Sequence, residues 1–67
     1  MRRTLLVIDR ATGETERIRG DDPNWAESVR YAAEQNNMTT PAAVAALEAG
    51  QELFTPGFVR RMEKPAR

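Results

Sequence analysis

Thr55-Pro56-Gly57-Phe58-Val59-Arg60-Arg61-Met62-Glu63-Lys64 is the stretch on which the architecture of this chain turns. Two readings compete for it. Pro56-Gly57 fits the centre of a type II turn, with Phe58-Val59 as a returning strand. Alternatively, Thr55 caps a helix over residues 56–64 that Pro65 stops. Phe58 and Met62 stand at i, i+4 with Val59 beside them, which is helical periodicity. The same grammar occurs earlier: Thr40-Pro41-Ala42-Ala43-Val44-Ala45-Ala46-Leu47-Glu48 shares the pattern Thr-Pro-x-x-Val-x-x-(Leu/Met)-Glu. Two copies are too few for a solenoid, and a capped helix written twice is the simplest account. The helix is therefore the preferred reading of 56–64.

Thr39-Thr40-Pro41 opens an alanine-rich helix over 41–49, with Gly50 as its stop. Val44 and Leu47 are its only large apolar groups, and its alanines let the backbone approach a neighbour. Gln51 to Phe54 is a brief extended piece able to add a short third strand. Upstream, Asp22 can cap free amides and Pro23 suits a first helical position, giving a helix over about 23–36 that stops at Asn36-Asn37. Trp25, Val29, Ala32 and Ala33 form one apolar stripe, with Glu27, Arg30 and Glu34 on the wet side. Tyr31 lies off the stripe.

Leu5 to Ile8 are four consecutive apolar residues and read as a strand. Asp9 opens a turn and Gly13 closes it with positive φ, so residues 3–20 form a hairpin with a bulge. The second strand carries only Ile18. The first is apolar on both faces, Leu5 and Val7 on one and Leu6 and Ile8 on the other. One face covers the helices. The other needs a later segment or another protein, because a two-stranded sheet alone is marginal in water.

The expected fold is α+β: one domain over 1–67, an N-terminal antiparallel β-hairpin packed against two or three short α-helices in the order ββααα. The expected core is Leu5, Val7, Ile18, Trp25, Val29, Ala33, Val44, Leu47, Leu53, Phe58 and Met62.

The 67 residues suffice for one domain of marginal stability. The chain has no cysteine and no histidine. Disulfides, zinc fingers, iron–sulfur sites and Cys- or Ser–His nucleophile systems are therefore excluded within it. Lack of cysteine fits a cytoplasmic protein. The 10 basic and 10 acidic residues cancel, but unevenly: residues 23–52 carry net −3 and residues 53–67 net +3. No apolar run approaches the roughly 18 residues of a membrane span, and the apolar stretch after Arg2-Arg3 is too short for a signal peptide.

Asp21-Asp22 reads as a turn and helix cap rather than an acid/base pair or metal site. Glu14 and Glu16 share one face of a strand and read as solvated surface. The glycines at 13, 20, 50 and 57 are scattered, so there is no phosphate loop. Nothing assembles a nucleophile, a base and an orienting group. The chain is expected not to be an enzyme and to need no cofactor or metal.

Met38-Thr39-Thr40-Pro41-Ala42-Ala43-Val44-Ala45-Ala46-Leu47, followed by Thr55-Pro56-Gly57-Phe58-Val59-Arg60-Arg61-Met62, resembles the helix-turn-helix of excisionase-type small bacterial regulators. There a Thr-Pro-capped helix precedes a recognition helix ending in Arg-Arg. Gly50 to Phe54 makes the turn longer here than in that family. The resemblance implies a DNA-binding regulator in which Arg60, Arg61 and Lys64 contact double-stranded DNA and Thr55 meets a phosphate. Without DNA, those basic residues complement the C-terminal end of a helix.

The leading expectation is a different one. A neutral chain with an uncovered strand face fits a small inhibitor or regulator that acts stoichiometrically by occluding a surface of a host protein or protein complex. Its placement among phage or mobile-element proteins is an inference from size and type. Leu6, Ile8, Glu27, Tyr31 and Glu34 are the expected contacts. An exposed strand edge would also serve a homodimer.

Overall fold

The structure is a computed structural model that describes residues 2–64. Its elements are β1 (Leu5–Asp9), β2 (Thr15–Ile18), α1 (Pro23–Gln35), α2 (Thr40–Glu48), β3 (Leu53–Thr55) and β4 (Phe58–Met62). They form a four-stranded antiparallel sheet in the order β2-β1-β4-β3, with both helices inserted between its two hairpins.

The first hairpin follows from Asp9. Its Oδ1 accepts hydrogen bonds from the amides of Ala11 (2.8 Å) and Thr12 (3.3 Å). The Gly13 amide then donates to the Asp9 carbonyl at 2.7 Å. Asp22 caps α1 by accepting from the Asn24 amide at 2.8 Å, with Pro23 in the first turn. Asn37 ends α1 in the left-handed region at φ 56°, and the Met38 amide closes back on the Ala33 carbonyl at 2.9 Å. This is the Schellman arrangement. It recurs after α2, where the Gln51 amide donates to the Ala46 carbonyl at 3.0 Å. Thr39 rather than Thr40 caps α2, its Oγ1 accepting from the Ala42 amide at 3.2 Å.

The expected third helix over 56–64 does not form, so the ββααα order is corrected to ββααββ. Pro56 and Gly57 make the turn, with Gly57 at φ 82° as a type II turn demands at its third residue. The extended piece before them becomes β3. Pro65, read as a helix stop, lies outside the described residues. The physical reason is twofold. Phe58 and Met62 are four residues apart, which is one helical turn but also two full pleats of a strand, so the spacing does not discriminate. The tie is broken elsewhere: β1 is apolar on both faces, and β4 gives its free edge a full antiparallel ladder from Leu5↔Met62 to Asp9↔Phe58.

Alternation sorts the sheet into two faces. Leu5, Val7, Ile18, Leu53 and Met62 point to the helices and join Trp25, Val29, Ala32, Ala33, Ala43 and Leu47 in the core. Trp25 is pinned by its indole N–H, which donates to the Arg3 carbonyl at 2.9 Å, while the Arg2 guanidinium covers its ring at 4.4 Å. Two expected core residues are corrected. Val44 is half-buried at the margin of the core, and Phe58 is 39 % exposed because it lies at the turn end of the sheet.

Candidate functional site

The helices cover one face of the sheet, and the second face has no chain segment over it among the described residues. Register builds this open face row by row. Ile8 is paired with Thr15 on one side and Val59 on the other, and Val59 is paired with Phe54. One row therefore crosses all four strands as Thr15, Ile8, Val59, Phe54. The next row is Arg17, Leu6, Arg61. Leu6, Ile8 and Val59 are half-buried by their neighbours in the sheet, and Phe54 is 50 % exposed. Neighbouring strands are about 4.8 Å apart, so Ile8, Val59 and Phe54 make one continuous apolar strip. The Arg10 guanidinium lies 5.2 Å from the centroid of the Phe54 ring. Arg17 of β2 makes an ion pair across β1 with Glu63, the residue that follows β4.

The expected contact residues are divided by this geometry. Leu6 and Ile8 are on the open face. Glu27, Tyr31 and Glu34 are exposed on α1, on the opposite side of the sheet. Glu27 has Arg30 within 3.9 Å.

The residues assigned to DNA by resemblance are divided too. Arg60 and Arg61 are neighbours in a strand, so they face opposite ways. Arg61 lies on the open face, half-exposed, and Lys64 is exposed just beyond β4. Thr55 is 4 % exposed and Arg60 8 % exposed, both under the helices. Arg60 Nε donates to Ser28 Oγ at 2.8 Å and Nη1 donates to Thr55 Oγ1 at 2.7 Å. Its guanidinium carbon is 5.4 Å from the centroid of the Tyr31 ring. No carboxylate among the described residues is within ion-pair distance of it. Burial pushes the Arg60 guanidinium below its usual pKa, and the Tyr31 phenol pulls the other way. Arg60 is a tie between α1 and the second hairpin, held by two neutral hydroxyls and a ring. The helix pair on which the resemblance rests is a helix followed by a hairpin.

Val59, Phe54, Arg10 and Arg17 belong to the open face and were not singled out from the sequence. Their signal was available only with the register of β4 and β3 known. At the turn end of the sheet, along the β1–β2 hairpin, Val7, Asp9, Glu14, Thr15, Glu16 and Phe58 line a shallow cavity of about 180 Å³. Oδ1 of Asp9 is occupied there by turn amides. Among the described residues no three potential ligands converge on a metal position, and no helix is long and apolar enough to cross a membrane. Comparison with protein-family models, with curated proteins and with solved structures finds no match, so the functional reading rests on the geometry and charge of the open face.

Proposed function

We propose that this chain is a non-enzymatic binding protein that docks the open face of its sheet on a host protein or protein complex and acts stoichiometrically by occluding the surface it covers. One observation carries the reading: Leu6, Ile8, Val59 and Phe54 form a contiguous apolar patch, framed by charged side chains, on a face that neither helix covers. Contiguous exposed apolar surface rimmed by polar groups marks interaction sites. Burying such a strip against a partner removes it from water at about 25 cal/mol per Å². The small size and the lack of cysteine and histidine fit an inhibitor or regulator of the phage or mobile-element kind working in the cytoplasm.

Site-specific photocrosslinking tests this. A benzoylphenylalanine placed at position 54 in a bacterial lysate is expected to give one dominant protein adduct, and the same probe at position 34 on α1 to give none. Adducts from position 34 alone would move the interface to the acidic side of α1. Nuclease-sensitive adducts alone would replace the reading with nucleic-acid binding.

A further inference from the structure

The open face is apolar at its centre and unequal in charge at its rim. Arg10, Arg17 and Arg61 surround the strip, and they outnumber the carboxylates of that face: Glu63, already paired with Arg17, and the exposed Glu52, which continues the β3 register beside Phe54. Arg10 and Arg61 have no carboxylate within ion-pair distance among the described residues. A chain of zero net charge has thus gathered positive charge around its uncovered apolar surface. We propose that the occupant of this face is an acidic amphipathic helix of the partner, apolar on the side laid on Leu6, Ile8, Val59 and Phe54 and bearing carboxylates along its flanks. This rests on the docking reading above and adds the chemistry of the partner.

Dimensions agree. Four strands span about 14 Å between the outer two, and a helix with its side chains is about 10–12 Å across. The arginines then stand where the flanks of such a helix run, and each carboxylate they meet is a planar two-oxygen acceptor that matches a guanidinium fork.

Other occupants fit less well. Single-stranded nucleic acid needs a series of aromatic faces for its bases. Here Leu6, Ile8 and Val59 are aliphatic, and one side of the only ring in the patch, Phe54, is under Arg10. A second copy related by a two-fold axis would bring a net positive rim onto its own image, which complementarity disfavours. Strand addition needs a long free edge, and the edge strands β2 and β3 have four and three residues.

The test titrates the isotope-labelled chain with two synthetic helical peptides of equal length. Both carry leucine along one face. One has glutamates on the flanks and the other lysines. Oligodeoxythymidylate is the third probe. Amide shifts are expected at residues 6, 8, 54, 59 and 61, with the glutamate peptide binding at least about tenfold tighter than the lysine peptide at low salt and losing that advantage as salt rises. The double variant R17E/R61E, which alters only side chains outside the core, is expected to reverse the order of the two peptides while keeping native amide dispersion. Equal affinities with shifts on the open face would overturn the acidic partner and leave the docking face standing. Shifts confined to α1, or no binding of either peptide at millimolar concentration, would overturn both. Preferential binding of the oligonucleotide would overturn both in favour of nucleic acid.

Discussion

Residues 40–48 and 55–63 carry the same Thr-Pro-x-x-Val-x-x-(Leu/Met)-Glu pattern, yet the first is the helix α2 and the second a turn and the strand β4. The residues between the shared positions make the difference. After its proline the first copy has Ala42-Ala43 and later Ala45-Ala46, all strong helix formers. The second has Gly57-Phe58 and Arg60-Arg61. Gly57 costs a helix about 1 kcal/mol relative to alanine, while a type II turn asks for it. Tertiary demand then acts in the same direction, because β1 offers a bare edge that only an extended segment satisfies. One shared position does the same work in both settings. Leu47 and Met62 occupy corresponding places and are 0 % and 4 % exposed.

The largest expected effect tests that equivalence. Leu47→Ala and Met62→Ala should each destabilise by about 2–5 kcal/mol, a large share of the stability of so small a domain, measured by urea denaturation. A loss below about 0.5 kcal/mol for Met62→Ala would detach β4 from the core.

A second contrast separates the copies. Arg60 is buried in β4, whereas its counterpart Ala45 is exposed on α2. Arg60→Ala leaves the Ser28 and Thr55 hydroxyls without their donor and should cost about 1–3 kcal/mol. Arg60→Met removes the same donors and the same desolvated charge, which has no carboxylate partner, but refills most of the volume, and should cost less than Arg60→Ala. Ala45→Arg should stay within about 0.5 kcal/mol. The pH dependence has a definite sign. Burial lowers the folded-state pKa of this base, so its penalty is present while Arg60 is charged and is relieved only as pH rises through that lowered value. Arginine titrates far above neutrality, so the difference between wild type and Arg60→Met should be flat from about pH 5 to 9. A slope in the thermal midpoints across that window would assign the group a different environment.

Gly57→Ala probes the turn itself. A β-carbon there meets nothing within 4 Å, so the cost is conformational, about 1–2 kcal/mol for an L-residue at φ 82°. D-Ala at the same position should be neutral or stabilising in thermal melts. In isolated peptides of residues 52–64, Gly57→Ala with Phe58→Ala should raise helicity in circular dichroism by rewriting the second copy toward the first. A smaller effect again belongs to the solvent-accessible Arg17–Glu63 pair, in which Glu63 is half-buried: Glu63→Gln should shift stability by no more than about 1 kcal/mol.

The sequence made the local signals readable. The Asp9 turn, the Asp22-Pro23 start, the Asn37 stop and the Trp25 stripe are each set by a few neighbouring residues, and each is found where those residues place it. That one face of the all-apolar β1 lacks a partner was readable as well, since strict alternation divides it into Leu5–Val7 and Leu6–Ile8, but alternation alone does not say which of the two is uncovered. What was not readable depended on pairing between distant segments. Only the ladder to β1 decides that Phe58–Met62 is extended, and from that one fact follow the opposed directions of Arg60 and Arg61 and the place of Val59 and Phe54 on the open face.

The strand order β2-β1-β4-β3 also governs how the chain reaches its native state. Both hairpins and both helices close over short loops and can form quickly on their own. The seam between β1 and β4 joins Leu5 to Met62, so its loop contains nearly the whole described chain. Closing a loop costs entropy that grows with its length, and the contacts that repay it come only once the ends have met. Zipping of this central seam is therefore the slow event of folding, and until it happens β1 presents an unpaired apolar edge to every other chain in solution.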